Sequence, residues 1–185
     1  MRIIAGEFKG RKLAAPPDYK VRPTAEKVRE AIFSMIQIHV PDAVVADLFA
    51  GTGSLGLEAL SRGAKRAYFV DRDRRSISFT KENVKACGME ERSVLMCSDY
   101  ALAIANIHDR ADIVFLDPPY KAGLMLDCLR RLSESDILPE GGIVVAEHGR
   151  DELLPEKVRN LELIKDRKYG KVRVSIYEKQ EESAE

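Results

Sequence analysis

The sequence predicts an α/β fold, a doubly wound sandwich whose mostly parallel sheet of seven strands carries helices on both faces. Three observations lead there. Short apolar runs alternate with helical segments along most of the chain, as in successive βαβ units. The runs "VVADLF", "RAYFV", "SVLMC", "DIVFL" and "GGIVVAE" are apolar throughout, as strands covered on both faces must be. The final runs, "LELIKDRKYG" and "VRVSIYEK", alternate better and are separated by Gly170, which suits an antiparallel pair at one edge.

In chain order, "RIIAG" and "RKLAAP" flank "EFKG" and predict a β-hairpin ended by Pro16 and Pro17. "RPTAEKVREAIFSMIQI" reads as a helix with Thr24 at its N-cap. Lys27 stands at N3, so there is no capping box, and Val28, Ile32, Met35 and Ile36 share one face. "VVADLF" is then a strand, and "SLGLEALSRG" a helix stopped by Gly63. "RAYFV" leads into a helix over 73–87 that ends at Cys87-Gly88. "SVLMC" precedes a helix starting near Asp99, and "DIVFL" precedes the helix "GLMLDCLRRL". The polar tail "EKQEESAE" is expected to fray. The chain therefore divides into an N-terminal hairpin and helix (1–40), a sandwich core (41–179) and a flexible tail (180–185).

A length of 185 residues suits one such core and is short for two. No apolar run is long enough to span a bilayer, and "MRIIAGEFKGRKL" lacks the continuous apolar stretch of a signal peptide, so the expected setting is the cytoplasm with no membrane partner. Cys87, Cys97 and Cys128 form no C-x-x-C, and His39, His108 and His148 are scattered, so reduced thiols and no metal site are expected. Net charge is zero, but residues 1–40 carry Arg2, Lys9, Arg11, Lys12, Lys20, Arg22, Lys27 and Arg29 against only Glu7, Asp18, Glu26 and Glu30. That end is either a phosphate-facing surface or an ordinary solvated face.

The stretch "DLFAGTGSLG" holds a complete G-x-G-x-x-G in Gly51, Gly53 and Gly56, with Asp71 twenty positions after the first glycine. By spacing alone this is a dinucleotide fingerprint, placed beyond the carboxyl end of the first strand of the sandwich. Asp47 argues against that ligand. A helix N-terminus that receives pyrophosphate needs free N–H groups and little negative charge nearby, whereas a carboxylate four positions before Gly51 suits a cation. S-adenosylmethionine carries a sulfonium and an ammonium and no phosphate. An Asp, three residues, then Gly-x-Gly is similar to the pattern of class I methyltransferases at this strand. Asp71 fits a ribose diol in either cofactor. Asp99 either receives an adenine amine, as methyltransferases of this fold imply, or caps the helix that follows it.

"DIVFLDPPY" ends a buried strand with Asp117, Pro118, Pro119 and Tyr120. Two prolines remove two N–H donors and leave carbonyls free to face a ligand, and a Tyr after them offers a flat surface. A planar amine is a poor nucleophile because its lone pair is shared with its ring or carbonyl. Acceptors gripping its N–H bonds draw it towards tetrahedral geometry and stabilise the developing positive charge.

"DLFAGTGSLG" together with "DPPY" resembles the amino-methyltransferases of adenine N6, guanine N2 and glutamine amides. "RIIAGEFKGRKL", "RPTAEKVREAIFSMI", "LFAGTGSLGLEALSRGA", "VDRD" and "FLDPPY" narrow the resemblance to the bacterial 16S rRNA guanine-N2 methyltransferase family, over residues 2 to about 178. That resemblance implies a Rossmann-like class I methyltransferase fold and an S-adenosylmethionine-dependent enzyme acting on a small-subunit assembly intermediate. It implies a cofactor set of Asp47, Phe49, Gly51, Gly53, Asp71, Arg72 and Asp99. Asp117, Pro118, Pro119 and Tyr120 would serve catalysis. A base flipped out of an RNA loop needs a basic flank, for which Arg2, Lys9, Arg11, Lys12 and Arg22 are available. Arg22 and Thr24 either belong to that flank or fix the N-terminal helix over the cofactor. The alternatives are a DNA adenine or protein glutamine methyltransferase, a nicotinamide-dependent oxidoreductase, or a non-catalytic RNA-binding module. Nothing in the sequence suggests an obligate dimer, and a monomer is expected.

Overall fold

The computed structural model describes residues 1–18, 23–119 and 123–181. Five parallel strands form one half of the sheet: β1 (Val44–Asp47), β2 (Arg66–Asp71), β3 (Ser93–Cys97), β4 (Ile113–Leu116) and β5 (Ile143–Gly149). The antiparallel strands β6 (Lys157–Val158), β7 (Leu161–Tyr169) and β8 (Val172–Lys179) complete the order β3-β2-β1-β4-β5-β8-β7-β6. The sheet has eight strands where seven are predicted. The extra one, β6, is two residues long, too short for any periodicity to reveal. The first residues of the polar tail enter the sheet, since β8 includes Glu178 and Lys179 and the Gln180 N–H donates to the Asn160 carbonyl.

The helices are α1 (Pro23–Met35), α2 (Ser54–Ser61), α3 (Arg74–Ala86), α4 (Tyr100–Asn106) and α5 (Leu124–Glu134). Proline is favoured in a first helical turn, where its missing N–H removes nothing; α1 thus starts at Pro23 and Thr24 lies inside it rather than at the cap. Val28, Ile32 and Ile36 are buried, as the spacing predicts. One sheet face is covered by α1, α2 and α3, where Val45, Phe69, Phe115 and Val145 meet Ile32, Phe33, Leu57 and Leu60. The other is covered by α4 and α5, where Ala46, Val70, Leu116 and Ala146 meet Ile104, Met125, Leu129 and Leu132. Strand order reverses between β1 and β4, which places a crevice beyond their carboxyl ends.

The predicted N-terminal hairpin is reduced to a single antiparallel bridge, Arg2 to Lys12. Ile3 N–H still donates to the Arg11 carbonyl and Leu13 N–H to the Met1 carbonyl, but several of the other backbone donors are spent elsewhere. The N–H groups of Ile4 and Ala5 go to the fully buried Glu58 carboxylate of α2, at 2.8 and 3.0 Å. Glu7 N–H donates to the Ser61 carbonyl, Phe8 N–H to Ser61 Oγ, and Ala14 N–H to Asn83 Oδ1. Gly6 makes this docking possible: its φ is +85°, and a Cβ there would stand 1.9 Å from the Ser61 carbonyl oxygen. The segment is thus a strap over α2 and α3, with Ile3 and Leu13 pressed into the core.

Gly56, the third glycine of the loop motif, is a packing residue. A Cβ on it would lie 2.4 Å from Cε1 of the buried Phe69 ring. Gly56→Ala is expected to destabilise the fold by about 1–3 kcal/mol, because overpacking a rigid core forces rings off their rotamers. Thermal unfolding checks this, and a melting temperature equal to wild type would contradict it.

Candidate active site

A cavity of about 870 Å³ opens at the carboxyl ends of β1 and β4, where the strand order reverses. Asp47 closes β1 and is 1% exposed, and its Oδ1 has no hydrogen-bond partner. Burial, and then the neighbouring Asp117, push its carboxyl up to about 7, against the pull of the backbone N–H groups of Phe49 and Gly56. A buried acceptor left unsatisfied is costly, and here it faces a cavity rather than a protein donor.

The glycine loop between β1 and α2 is fixed from two sides, by the end of β2 and by α3. Gly51 N–H donates to Asp71 Oδ2 at 3.0 Å, and Asp73 N–H donates to the other oxygen of Asp71 at 2.9 Å. From α3, Thr80 Oγ1 donates to the Gly51 carbonyl and Asn83 Nδ2 to the Thr52 carbonyl, both at 2.9 Å. Gly53 takes a left-handed φ of 81° as the N-cap of α2 and supplies no side-chain cap. Thr80 and Asn83 are both buried and were missed by sequence reasoning. Their signal is two polar residues three apart on an inward helical face.

Phe49 and Tyr100 pack with ring centroids 5.5 Å apart, and Tyr100 Oη donates to Asp127 Oδ2 at 2.6 Å, joining α4 to α5 along one wall. Arg72 and Asp99 stand on the same rim. Asp99 Oδ1 accepts the Leu102 N–H at 2.9 Å, so the helix-capping role is present. Of the "DPPY" residues, Asp117 and Pro119 line the cavity and Pro118 is buried behind them. Tyr120 lies outside the described residues, as does Arg22. Asp117 is open to the cavity, yet the protein around it weakens its solvation and raises its carboxyl.

Glu147, in the carboxyl-terminal half of β5, is a site residue that sequence reasoning missed. The parallel register pairs Leu116 with Ala146, so one step further Asp117 and Glu147 stand side by side on the face shared with Phe115 and Val145. Burial raises the Glu147 carboxyl, and Asp117 raises it further. The opposing wall comes from the N-terminal strap and α1, through Met1, Ala25, Glu26 and Arg29. Arg29 is buried, approaches Glu58 at 3.8 Å and donates to the Arg2 carbonyl. Arg2, Lys9, Arg11 and Lys12 are exposed on the strap, whose first residue reaches the cavity.

Among the described residues, eight carboxyl side chains and two arginines line this cavity. Such a lining disfavours pyrophosphate and favours a cation. Among the described residues, no group of three or more His, Cys, Asp and Glu is arranged to hold a metal ion, and no helix is long and apolar enough to cross a membrane.

The family model described as Conserved hypothetical protein 95 matches residues 1–178. Ribosomal RNA small subunit methyltransferase D of Escherichia coli is 31% identical over 180 residues, covering 97% of this chain and 90% of that protein. The chain belongs to this methyltransferase family. YlbH of Bacillus subtilis is 40% identical over 182 residues, covering 97% of this chain and 99% of YlbH. The solved structure of yhhF from E. coli superposes with a TM-score of 0.87 at 31% identity, covering 97% of this chain and 98% of that one. Family membership and the acidic lining together displace the nicotinamide reading of the glycine motif.

Proposed function

We propose that this protein transfers the methyl group of S-adenosylmethionine to the exocyclic N2 of a guanine in 16S rRNA. The observation that carries the reading is the buried Asp47 beside the glycine loop, whose Oδ1 has no hydrogen-bond partner, with Asp117 open to the same cavity one strand away. The residues fit the cofactor's chemistry, since an orphaned carboxylate in an acidic cavity suits an ammonium and a sulfonium. When bound, the cofactor supplies a methyl group on a positively charged sulfur.

In this reading Asp47 receives the ammonium and Gly51 and Gly53 allow close backbone approach. Asp71, already holding two backbone N–H groups, has lone pairs left for the ribose hydroxyls. Phe49, Arg72 and Asp99 bound the nucleoside end. Asp117 accepts a hydrogen of the target amine, and Pro118 and Pro119 keep competing N–H donors away from it. Tyr120 stacks on the base and fixes its plane. Arg2, Lys9, Arg11, Lys12 and Arg22 hold the phosphates around the flipped nucleotide. The protein acts as a cytoplasmic monomer on a small-subunit assembly intermediate.

Incubating the protein with tritiated-methyl donor and undermethylated small subunits, then separating the nucleosides, tests this reading. Label is expected in N2-methylguanosine. Label in adenine of DNA or in protein glutamine, under the same conditions and without guanine label, would replace the substrate. No transfer by cofactor-bound protein would overturn the enzyme reading altogether.

A further inference from the structure

The molecule holds two kinds of carboxyl group set into its interior or its cavity wall. Glu58 is fully buried and accepts hydrogen bonds from Ile4, Ala5 and Arg62, so its work is structural. Asp117 and Glu147 have neither a hydrogen bond nor an ion pair among the described residues, although they face one cavity from adjacent strands. Asp47, 1% exposed and equally without a partner at Oδ1, lies on the same face of the next strand. Carboxyl groups placed together, with no ion pair to any of them among the described residues, repel each other, and folding alone gives no reason to keep them so. A ligand rich in hydrogen-bond donors supplies one.

We propose that Glu147 is a second acceptor for the target base, taking the ring N1–H of guanine while Asp117 takes a hydrogen of the adjacent N2 amine. This rests on the guanine-N2 reading above and extends it to selectivity. The Watson–Crick edge of guanine presents two neighbouring donors, N1–H and N2–H. That of adenine presents the N6–H donor beside a lone pair at N1, which an ionised acceptor repels. Two acceptors on adjacent strands, spaced by the roughly 4.8 Å between strands, therefore match guanine and reject adenine.

The pair also has a use after transfer. Once N2 has gained its methyl carbon it carries one hydrogen too many and a positive charge. Its N–H bond breaks with the electron pair staying on nitrogen, and the proton passes to the Asp117–Glu147 pair and on to water. The groups that face Glu147 across the cavity are Asp117 from β4, Asp47 from β1, and Glu26 and Arg29 from α1, while β8 sets Val174 opposite it. Both carboxyls of the pair are raised, Glu147 further, so acid fills the acceptors first and activity should climb with pH through the near-neutral range.

The test compares wild type with Glu147→Gln and Glu147→Ala on undermethylated small subunits. Glu147→Ala is expected to lose about 10–100-fold in kcat/KM, as when a buried polar contact to substrate is removed, and Glu147→Gln, which keeps a carbonyl, should lose less. The acid limb of the pH profile should move to lower pH in both variants. Binding of S-adenosylhomocysteine by calorimetry should stay within about twofold in both, which also shows that they are folded. A small subunit carrying 2-aminopurine at the labelled position keeps the 2-amine and lacks N1–H. Wild type should lose about tenfold on it, and Glu147→Ala should lose little more. Wild-type kinetics and pH profile in Glu147→Ala would overturn the assignment, as would equal 2-aminopurine penalties in wild type and variant. If wild-type protein labels no guanine N2, the functional reading itself fails, which is a separate result.

Discussion

Asp117→Asn is expected to lower kcat for methyl transfer by about 10²–10³-fold, because it replaces the charge that stabilises the developing ammonium with a neutral amide. Asn is nearly isosteric, so the cavity wall and the β4 terminus should persist. The new amide N–H groups would also meet the N–H groups of the target amine, donor against donor. Cofactor-product affinity should be equal to wild type or slightly tighter. Asp117 raises the Asp47 carboxyl, and removing its charge lets Asp47 ionise at lower pH. Single-turnover kinetics with calorimetry separates these effects. A variant with wild-type kcat would remove Asp117 from the chemistry, and one that fails to bind cofactor product would make its role structural.

The sequence was most legible where one residue has one physical meaning. Asp47 could be read as a misfit for pyrophosphate from its position alone, and the structure places it buried beside the loop with Oδ1 lacking a hydrogen-bond partner. Strands covered on both faces announce themselves by unbroken apolar runs, so β1 to β5 fall where they are expected. Glu147 was not legible because it follows the apolar run of its strand like any polar residue. Its meaning comes from lateral register with β4, which joins residues thirty positions apart. The N-terminal strap misled for a similar reason. "RIIAG" and "RKLAAP" have strand propensity, but Glu58, Ser61 and Asn83 compete for their N–H groups from fifty to seventy residues away. In the same way Thr80 and Asn83 look like ordinary helix-surface residues until the loop they brace is seen above them.

Asp47→Asn is expected to weaken cofactor binding and stabilise the protein that lacks cofactor, two effects with one cause. Burial lifts the Asp47 carboxyl from 3.8 to about 7 in the folded chain. A carboxyl raised on folding contributes its stability below its unfolded value, and that contribution is lost as pH rises through the folded value. The folded chain without ligand therefore loses stability between about pH 4 and pH 7 on account of this group. A gap of about three pH units caps the loss at ~4 kcal/mol. At pH 8 Asn should accordingly melt several degrees above wild type, at ~2–4 °C per kcal/mol for a chain of this size. At about pH 3, below the unfolded value, folded and unfolded wild type both hold the proton and the two should melt nearly together. Binding runs the other way. The cofactor's ammonium favours the ionised carboxyl, so wild-type binding near pH 6.5 should release protons and show heats that depend on the buffer's own ionisation enthalpy. With Asn that release disappears, and affinity should fall by about 30–100-fold, the loss typical of a charge left facing a neutral partner in a desolvated pocket. Equal cofactor affinity in the two proteins would detach Asp47 from the ligand. A lower melting temperature for Asn at pH 8 would mean instead that the charge is held by a partner within the fold.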